Sequence, residues 1–413
     1  MKEIDAVFKE QIEIIKPSKE ELEEIKKISR EFIEEISSNL KKNKIKAEVF
    51  AGGSLAKNTL VKKDYYDIDI FVRFDKSYKN ISSLLGNIIK NSKKVHGSRD
   101  YYQVKKNKVF IEIIPVIKIE SPEKAENVTD LSYFHVKYVL NKIEKNKNLI
   151  NEICLVKSFS HAQNVYGAES YINGFSGYAL ELLIIHYETF LNFIKEIVKL
   201  NNKSKLIIDD EKHFINKKAL LIHMNPSKTN SPIILVDPTY KERNALSSLS
   251  EETLIKFQKS CKSFLKNPSV KFFMKKNIAD DFKSSNSKIV LIRTNKQSGD
   301  IAGTKSKKFY KFLLRELRKE FNIKKEGFEY IEEENLSKGY LLLKKKFSTE
   351  IKGPPVIYEK NVREFKLKHK NYFIKDGYIY SVLEHKLSFN NWLEIFKKNN
   401  RKTIKQMGVI EVK

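Results

Sequence analysis

Cysteine is nearly absent from this chain: Cys154 and Cys261 are the only two in 413 residues. They lie far apart, without zinc-ligand spacing, so a disulfide framework beyond one bridge is excluded. Buried free thiols in a reducing cytoplasm are the expectation. Long apolar runs are also missing. Nothing approaches the roughly 18 consecutive apolar residues that a membrane-spanning helix needs. The segment 1–16 alternates charged with apolar residues and lacks the unbroken apolar core of a signal peptide. No internal repeat is visible. Acidic residues are scarce relative to basic ones, 52 against 79, which leaves a net charge of +27. Such a surface favours a polyanionic partner, RNA or DNA first. A composition-wide bias toward Lys, Ile and Asn is the competing explanation. With 41% hydrophobic residues the chain is globular in composition, and its length suggests roughly two to four domains.

What is present concentrates in one stretch. Gly53-Ser54 follows an apolar strand-like segment (46–50). Asp67-Ile68-Asp69 then opens an alternating run through Phe74. On a strand, residues i and i+2 project from one face, roughly 7 Å apart along it. Two carboxylates so placed can hold hard divalent cations, and a Gly-Ser turn can offer backbone N–H groups and a hydroxyl to phosphate. Metal-assisted nucleotidyl transfer wants a third carboxylate. Glu112 supplies one, alone among apolar neighbours in 109–114, where a buried acid is costly unless paired or metal-bound.

The surrounding pattern places these residues. Ser18 and Glu21 form a capping box ahead of Leu22, Ile25, Ile28, Phe32, Ile36 and Leu40 at helical period. A helix is expected over 82–91 and a hairpin from 101–104 and 109–114. Residues 134–200 read as helical, interrupted at Gly167 and Gly174. These two regions form a helix-flanked mixed sheet followed by an all-helical segment. Further on, a short strand (233–236) ends at Asp237-Pro238, and 251–264 is helical. A polar boundary falls at 283–288, followed by a small α/β unit (289–294, 307–319, 340–347). Gly353-Pro354-Pro355 reads as a break, with 373–382 and 392–398 closing the chain.

Gly-Ser, Asp-x-Asp about a dozen residues on, and a single acid on a later strand resemble the signature of the DNA polymerase β-like nucleotidyltransferases. Further segments narrow the likeness: Asp130 to His135, Leu155 to Phe159, Tyr166 to Glu169, Gly174-Phe175-Ser176-Gly177-Tyr178 with Glu181-Leu182-Leu183, and Val236-Asp237-Pro238 with Arg243-Asn244. In that order, from about Phe50 to Phe264, they look like the archaeal, class I CCA-adding enzymes. Glu112 stands where that family commonly has Asp, and Lys57 where Arg is more usual. Arg99-Asp100-Tyr101 replaces a His-Pro-Tyr.

The resemblance implies an α+β multidomain fold. Its parts would be a nucleotidyltransferase head (1–135), a helical neck (136–225), a body (226–284 with 352–413) and a tRNA-binding tail (285–351). It implies that Asp67, Asp69 and Glu112 hold two Mg²⁺ ions. Gly53, Ser54, Lys57, Lys157 and Tyr166 would contact the triphosphate, His135 would lie near the nucleotide, and Arg243 would read the base of CTP or ATP. Tyr178 reads as core, and Gly174 and Gly177 as aids to close helix packing. Lys307, Lys308, Lys311 and Arg315 on one helix, with Lys344 and Lys345 ending a strand, suggest a track for the acceptor arm and elbow of tRNA. A solvated Lys-rich face is the bland alternative. A cytoplasmic enzyme with no membrane association is implied, and a homodimer is compatible with it. The rival readings are a poly(A)-adding relative and a catalytically impaired RNA-binding one.

Overall fold

Residues 2–201, 205–295 and 299–413 are described by a computed structural model. Two helices, α1 (Lys2–Ile15) and α2 (Lys19–Lys42), open the chain, and the capping box that starts α2 is formed: Ser18 accepts from the Glu21 backbone and Glu21 reaches back. A cap of this kind contributes about 1 kcal/mol. Then come β1 (Ala47–Ala51), the short α3 (Gly53–Ala56), β2 (Tyr66–Phe74), α4 (Ile81–Ile88), β3 (Lys93–Val95), β4 (Tyr101–Lys106) and β5 (Val109–Ile117). The sheet order is β1-β2-β5-β4-β3. The β4–β5 hairpin is antiparallel as expected, turning at Asn107 with φ 54°.

Strands β2 and β5 run parallel, a pairing that demands a long crossover, here supplied by α4 with β3 and β4. Alternation sorts their side chains. Tyr66, Ile68, Ile70, Val109, Ile111 and Ile113 are buried with Ile25, Ile28, Ile36 and Leu40 of α2 in one core. Each such aliphatic side chain stabilises the fold by about 1.5–3 kcal/mol. The odd positions Asp67 and Asp69, with Glu112, are left on the opposite face.

Helices α5 (Ser132–Lys145), α6 (Leu149–Ala162), α7 (Gly177–Tyr187), α8 (Phe190–Lys199) and, later, α10 (Glu251–Lys266) share a second core with α1. It is rich in aromatic rings: Phe159, Phe175, Phe190, Phe193, Phe257 and Phe264 are fully buried. Between α6 and α7 the chain doubles back, pairing Tyr166 with Phe175. A Cβ on Gly174 would come within 2.0 Å of the Val165 carbonyl oxygen. That glycine therefore serves backbone approach in a loop, and not the helix packing expected of it. Among these helices lie β6 (Leu206–Ile208), α9 (Lys217–His223), β7 (Ile233–Asp237) and β8 (Tyr240–Asn244), which form a small sheet in the order β6-β7-β8.

All of this belongs to one compact unit, Met1–Ala168 with Ile172–Lys275; the other comprises Glu169–Tyr171 and Lys276–Lys413. The second unit contains β9 (Ser287–Thr294), α11 (Gly299–Glu320), β10 (Phe321–Ile331), β11 (Leu336–Lys345), β12 (Ser348–Pro355), α12 (Glu359–Lys368), β13 (Tyr372–Lys375), β14 (Tyr378–Glu384), α13 (Phe389–Asn399), α14 (Arg401–Gln406) and β15 (Val409–Val412). Helices α11 and α13 cover the sheet β10-β11-β9-β15 through Phe309, Leu313, Trp392 and Phe396. Strand β15 pairs with β9, so this sheet joins segments that the sequence assigns separately to body and tail.

Two local expectations change. The Gly353-Pro354-Pro355 break lies inside β12, the edge of the sheet β12-β14-β13, with a register shift between Lys352 and Pro355. Proline lacks an N–H, and an edge strand is where a sheet accepts it. The strand expected over 373–382 is a hairpin, split by Asp376 and Gly377 at φ 47° and 73°, a pair of left-handed residues suited to a two-residue turn. Among the described residues, no helix is long and apolar enough to cross a membrane.

Candidate active site

The parallel register sets Asp69 directly beside Glu112, and Asp67 beside Phe110. The three acids thus share the open face of two adjacent strands. Asp67 is about half exposed, with Lys63 Nζ 3.6 Å from its Oδ2, while Gln103 Nε2 donates to Glu112 Oε1 at 3.4 Å. Burial raises the pKa of Asp69. Lys57 opposes that rise and the neighbouring Asp67 adds to it.

The Gly52-Gly53 turn presses onto this strand. Gly52 N donates to Asp69 O at 2.8 Å. Gly53 has φ +56°, and a Cβ there would lie 1.7 Å from Asp69 Oδ2. Only glycine satisfies both the left-handed backbone and the contact. The turn leads into α3, which places Ser54 near the same strand and Lys57 just beyond its end.

Behind the turn lies a buried charge cluster. Lys57 Nζ is 2.6 Å from Glu181 Oε2, Lys157 Nζ is 2.8 Å from Glu181 Oε1, and Lys157 also donates to Thr59 Oγ1 at 3.0 Å. Glu181 comes from α7 and Lys157 from α6. Burial works against ionisation in all three. For Glu181 the two ammonium groups outweigh it and its pKa is lowered; Glu181 likewise raises that of Lys157. Burial prevails at Lys57, whose pKa is lowered. Beside the cluster, Tyr166 stacks on His161, ring centroids 3.7 Å apart.

A second hub forms around Asp237, which is fully buried at the end of β7. Arg243 donates to Asp237 Oδ2 at 2.6 Å, and Tyr178 Oη and the Thr239 hydroxyl donate to Oδ1 at 3.1 and 2.8 Å. His135 Nε2 is 2.9 Å from Oδ2, too poorly aligned for a directed hydrogen bond, so the contact is an electrostatic one. Against the cost of burial, these partners hold the Asp237 pKa well below the usual carboxylate range. Burial lowers that of His135. Tyr178 stacks on His135 at 4.1 Å, with the Arg243 guanidinium 5.6 Å from its ring centre. Tyr178 packs against the helical core, as read from the sequence, and is also a wall of this hub. Arg243 also lines a cavity of about 420 Å³ with Asn127, Leu131, His223, Lys228 and Tyr240.

The sequence-derived acids, the turn and the triphosphate and base cations Lys57, Lys157 and Arg243 fall in the first unit. Glu181 and Asp237 enter the sequence reading only as parts of motifs; neither they nor Thr59 is given a role there. Glu181 carried the signal that exposed Glu112, a lone acid in an apolar run. Asp237 was hidden because Asp-Pro reads as a strand terminator. In the second unit Lys308, Lys311 and Arg315 occupy exposed positions of α11 and Lys344 and Lys345 end β11 exposed, whereas Lys307 is half-buried over the Phe328 ring at 4.8 Å.

A divalent cation fits the donor chemistry of the open face: only hard oxygen ligands, on adjacent strands, with Asp69 half-buried beside a like charge. The side chains are not drawn together, however. Among the described residues no group of three His, Cys, Asp or Glu side chains is gathered around a common point.

Comparison with known proteins points the same way. A family model described as a nucleotidyltransferase domain matches residues 29–135, and one described as the second domain of tRNA nucleotidyltransferase matches residues 151–274. The chain is 36% identical to the CCA-adding enzyme of Nanoarchaeum equitans over 391 residues, 92% of this chain and 94% of that protein. It is 29% identical to the CCA-adding enzyme of Saccharolobus solfataricus, covering 92% of this chain and 89% of that one. Among solved structures, a cytoplasmic RNA terminal U-transferase is similar with TM-score 0.52 at 14% identity, covering 67% of this chain and 100% of that one. The Cid1 poly(U) polymerase, solved with Mg and 3′-dATP, has TM-score 0.51 at 14% identity, covering 65% and 98%. At that identity these two likenesses establish the nucleotidyltransferase fold alone.

Proposed function

The chain belongs to the CCA-adding enzymes, and from that premise we propose that it completes or repairs the 3′ C-C-A end of tRNA with CTP and ATP, without a nucleic-acid template. It is a nucleotidyltransferase. The alignment of Asp69 with Glu112 on one open face, with Gly53 against Asp69, is the observation that carries the detailed reading.

In that reading Asp67, Asp69 and Glu112 hold two Mg²⁺ ions. When bound, these would lower the pKa of the attacking 3′ hydroxyl and stabilise the departing pyrophosphate. Ser54 and the backbone of the Gly53 turn receive the triphosphate, and Lys57, Lys157 and Tyr166 neutralise and orient it. His135, buried and kept neutral, borders the nucleotide without adding charge. Arg243, its guanidinium fixed by Asp237, presents rigid donors to acceptors that cytosine and adenine both display. The exposed cations Lys308, Lys311, Arg315, Lys344 and Lys345, with Lys307 at their edge, track phosphates of the acceptor arm and elbow. Two buried free thiols suit a reducing cytoplasm, and a homodimer is compatible with this reading.

The test uses Mg²⁺, labelled CTP or ATP, and tRNAs truncated successively at the 3′ end. Addition of C, C and A in order, stopping after A, is expected. Runs of A on any RNA end would favour a poly(A)-type activity.

A further inference from the structure

Two lysines share one carboxylate in the first unit, and the arithmetic is uneven. Lys57, Lys157 and Glu181 leave a surplus positive charge in a place where all three side chains are almost wholly buried. Stability alone does not ask for this. A buried ion group usually gains nothing over well-packed apolar residues, and an unpaired buried cation is costly. The trio borders the open face, where the Asp69 carboxylate attracts Lys57, and Lys157 lies close to Tyr166. The two cations arrive from distant stretches of chain, one from the end of α3 and one from α6.

The carboxylate gives each lysine its own oxygen, Oε2 to Lys57 and Oε1 to Lys157. It therefore limits the separation of the two ammonium groups to at most a carboxylate's width plus two hydrogen bonds. Successive phosphates of a polyphosphate chain can bridge that span. Thr59, itself fully buried, adds a second hold on Lys157. Lysine is a flexible point charge with several rotatable bonds, so an anchor of this kind removes freedom that would otherwise be lost on binding.

We propose that Glu181 is a positioning residue for the triphosphate: it touches no substrate atom, but sets Lys57 and Lys157 at the spacing that grips the β and γ phosphates. This rests on the reading of the two lysines as triphosphate contacts, and the experiment separates the two claims. Inhibition of CTP addition by inorganic tripolyphosphate and by CMP is measured for E181Q, E181D, K57A and K157A, together with KM for CTP and ATP, tRNA affinity and thermal midpoint.

E181Q should raise KM for both nucleotides and weaken tripolyphosphate inhibition by about tenfold or more, the loss expected of a buried charge-assisted hydrogen bond. Inhibition by CMP and affinity for tRNA should stay as they were, and E181D should recover part of the loss. In a K57A/K157A background E181Q should have no further effect on tripolyphosphate. If K57A and K157A both leave tripolyphosphate inhibition intact, the triphosphate reading fails. If they weaken it and E181Q does not, the role of Glu181 fails alone. Parallel loss of tripolyphosphate, CMP and tRNA binding with a lowered midpoint would make Glu181 merely structural and overturn the inference. Should E181Q not fold, the ratio of tripolyphosphate to CMP inhibition in E181D decides: a ratio equal to that of the unaltered protein overturns it.

Discussion

The two units differ in the charge they bury. The first, beside exposed pairs such as Lys26–Glu23, holds buried ones that join separate elements: Lys57 and Lys157 with Glu181, and Arg243 with Asp237. In the second, most pairs are exposed and local, as in Lys319–Glu316, Lys397–Glu394 and Lys283–Asp280, each one helical turn apart. Its buried exception is His385, held between Glu320 and Thr349. Buried pairs carry a desolvation cost that their attraction rarely exceeds, so what they supply is fixed geometry. Exposed pairs are worth little to stability, and in the proposed reading the cations beside them act by their sum on tRNA. The first unit fixes a few buried charges against one another; the second leaves most of its pairs exposed.

The sharpest way to break this contrast is at the open face. Asp67→Asn or Asp69→Asn should reduce addition of both C and A by about 10³-fold or more, since an anionic ligand is lost from a metal-assisted transfer. Fold and tRNA binding should survive these near-isosteric changes, and retained turnover would remove the proposed mechanism.

Acid should separate the units next. Burial holds the His161 pKa down at about 3, against 6.5 unperturbed, and Asp237 and Glu181 are also depressed. For all three the unfolded chain binds more protons as pH falls. Their stabilisation is complete above pH 6.5 and is lost progressively below it, through the carboxylate range. A loss of about 2–5 kcal/mol between pH 7 and pH 3 is expected for the first unit. Denaturation followed at both pH values by probes in each unit checks it; a second unit that loses stability as steeply would erase the contrast.

At the third acid, Glu112→Gln should slow addition by about 100-fold, while Glu112→Asp keeps measurable activity with an altered Mg²⁺/Mn²⁺ preference. Near-normal rates for Glu112→Gln would make it an ordinary strand residue. Arg243→Ala should cost about tenfold in discrimination against UTP and GTP, read from misincorporation, because a rigid donor fork is lost. Base selection left unchanged while tRNA binding disappears would reassign Arg243 to the RNA track.

The smallest effects belong to the second unit. Removing Lys308, Lys311 or Arg315 singly should weaken tRNA binding only a few-fold, lower the log–log salt slope by about one, and shift stability by no more than about 0.5 kcal/mol. A single substitution that abolishes binding would show that this unit, too, relies on placed charge.

The same contrast explains what could be read from the sequence. Local patterns were legible: the capping box, the alternation of β2, and a lone acid among apolar residues at 112 each announce themselves within a few residues. The partners of buried charges were not. Glu181 lies 124 residues from Lys57, and its neighbours on α7 are apolar, so periodicity alone marks it as part of a core helix. Tyr178 packs against the core as read; only the fold shows its hydroxyl on Asp237. The parting of β13 from β14 was missed because the Asp376-Gly377 turn lies inside an otherwise strand-like run.

The parallel pairing of β2 with β5 has a consequence for how such a chain can vary. The side-chain period of a strand is two, so a one-residue insertion or deletion that slid β5 along β2 would turn Glu112 into the α2-facing core and bring an isoleucine out beside Asp69. A two-residue slide would restore the face but misalign the acids. Length changes in this head are therefore confined to connections that can absorb them without moving the strands, such as the loop between β2 and α4. Inside the two strands, descent can alter residues one by one, but it cannot alter their number.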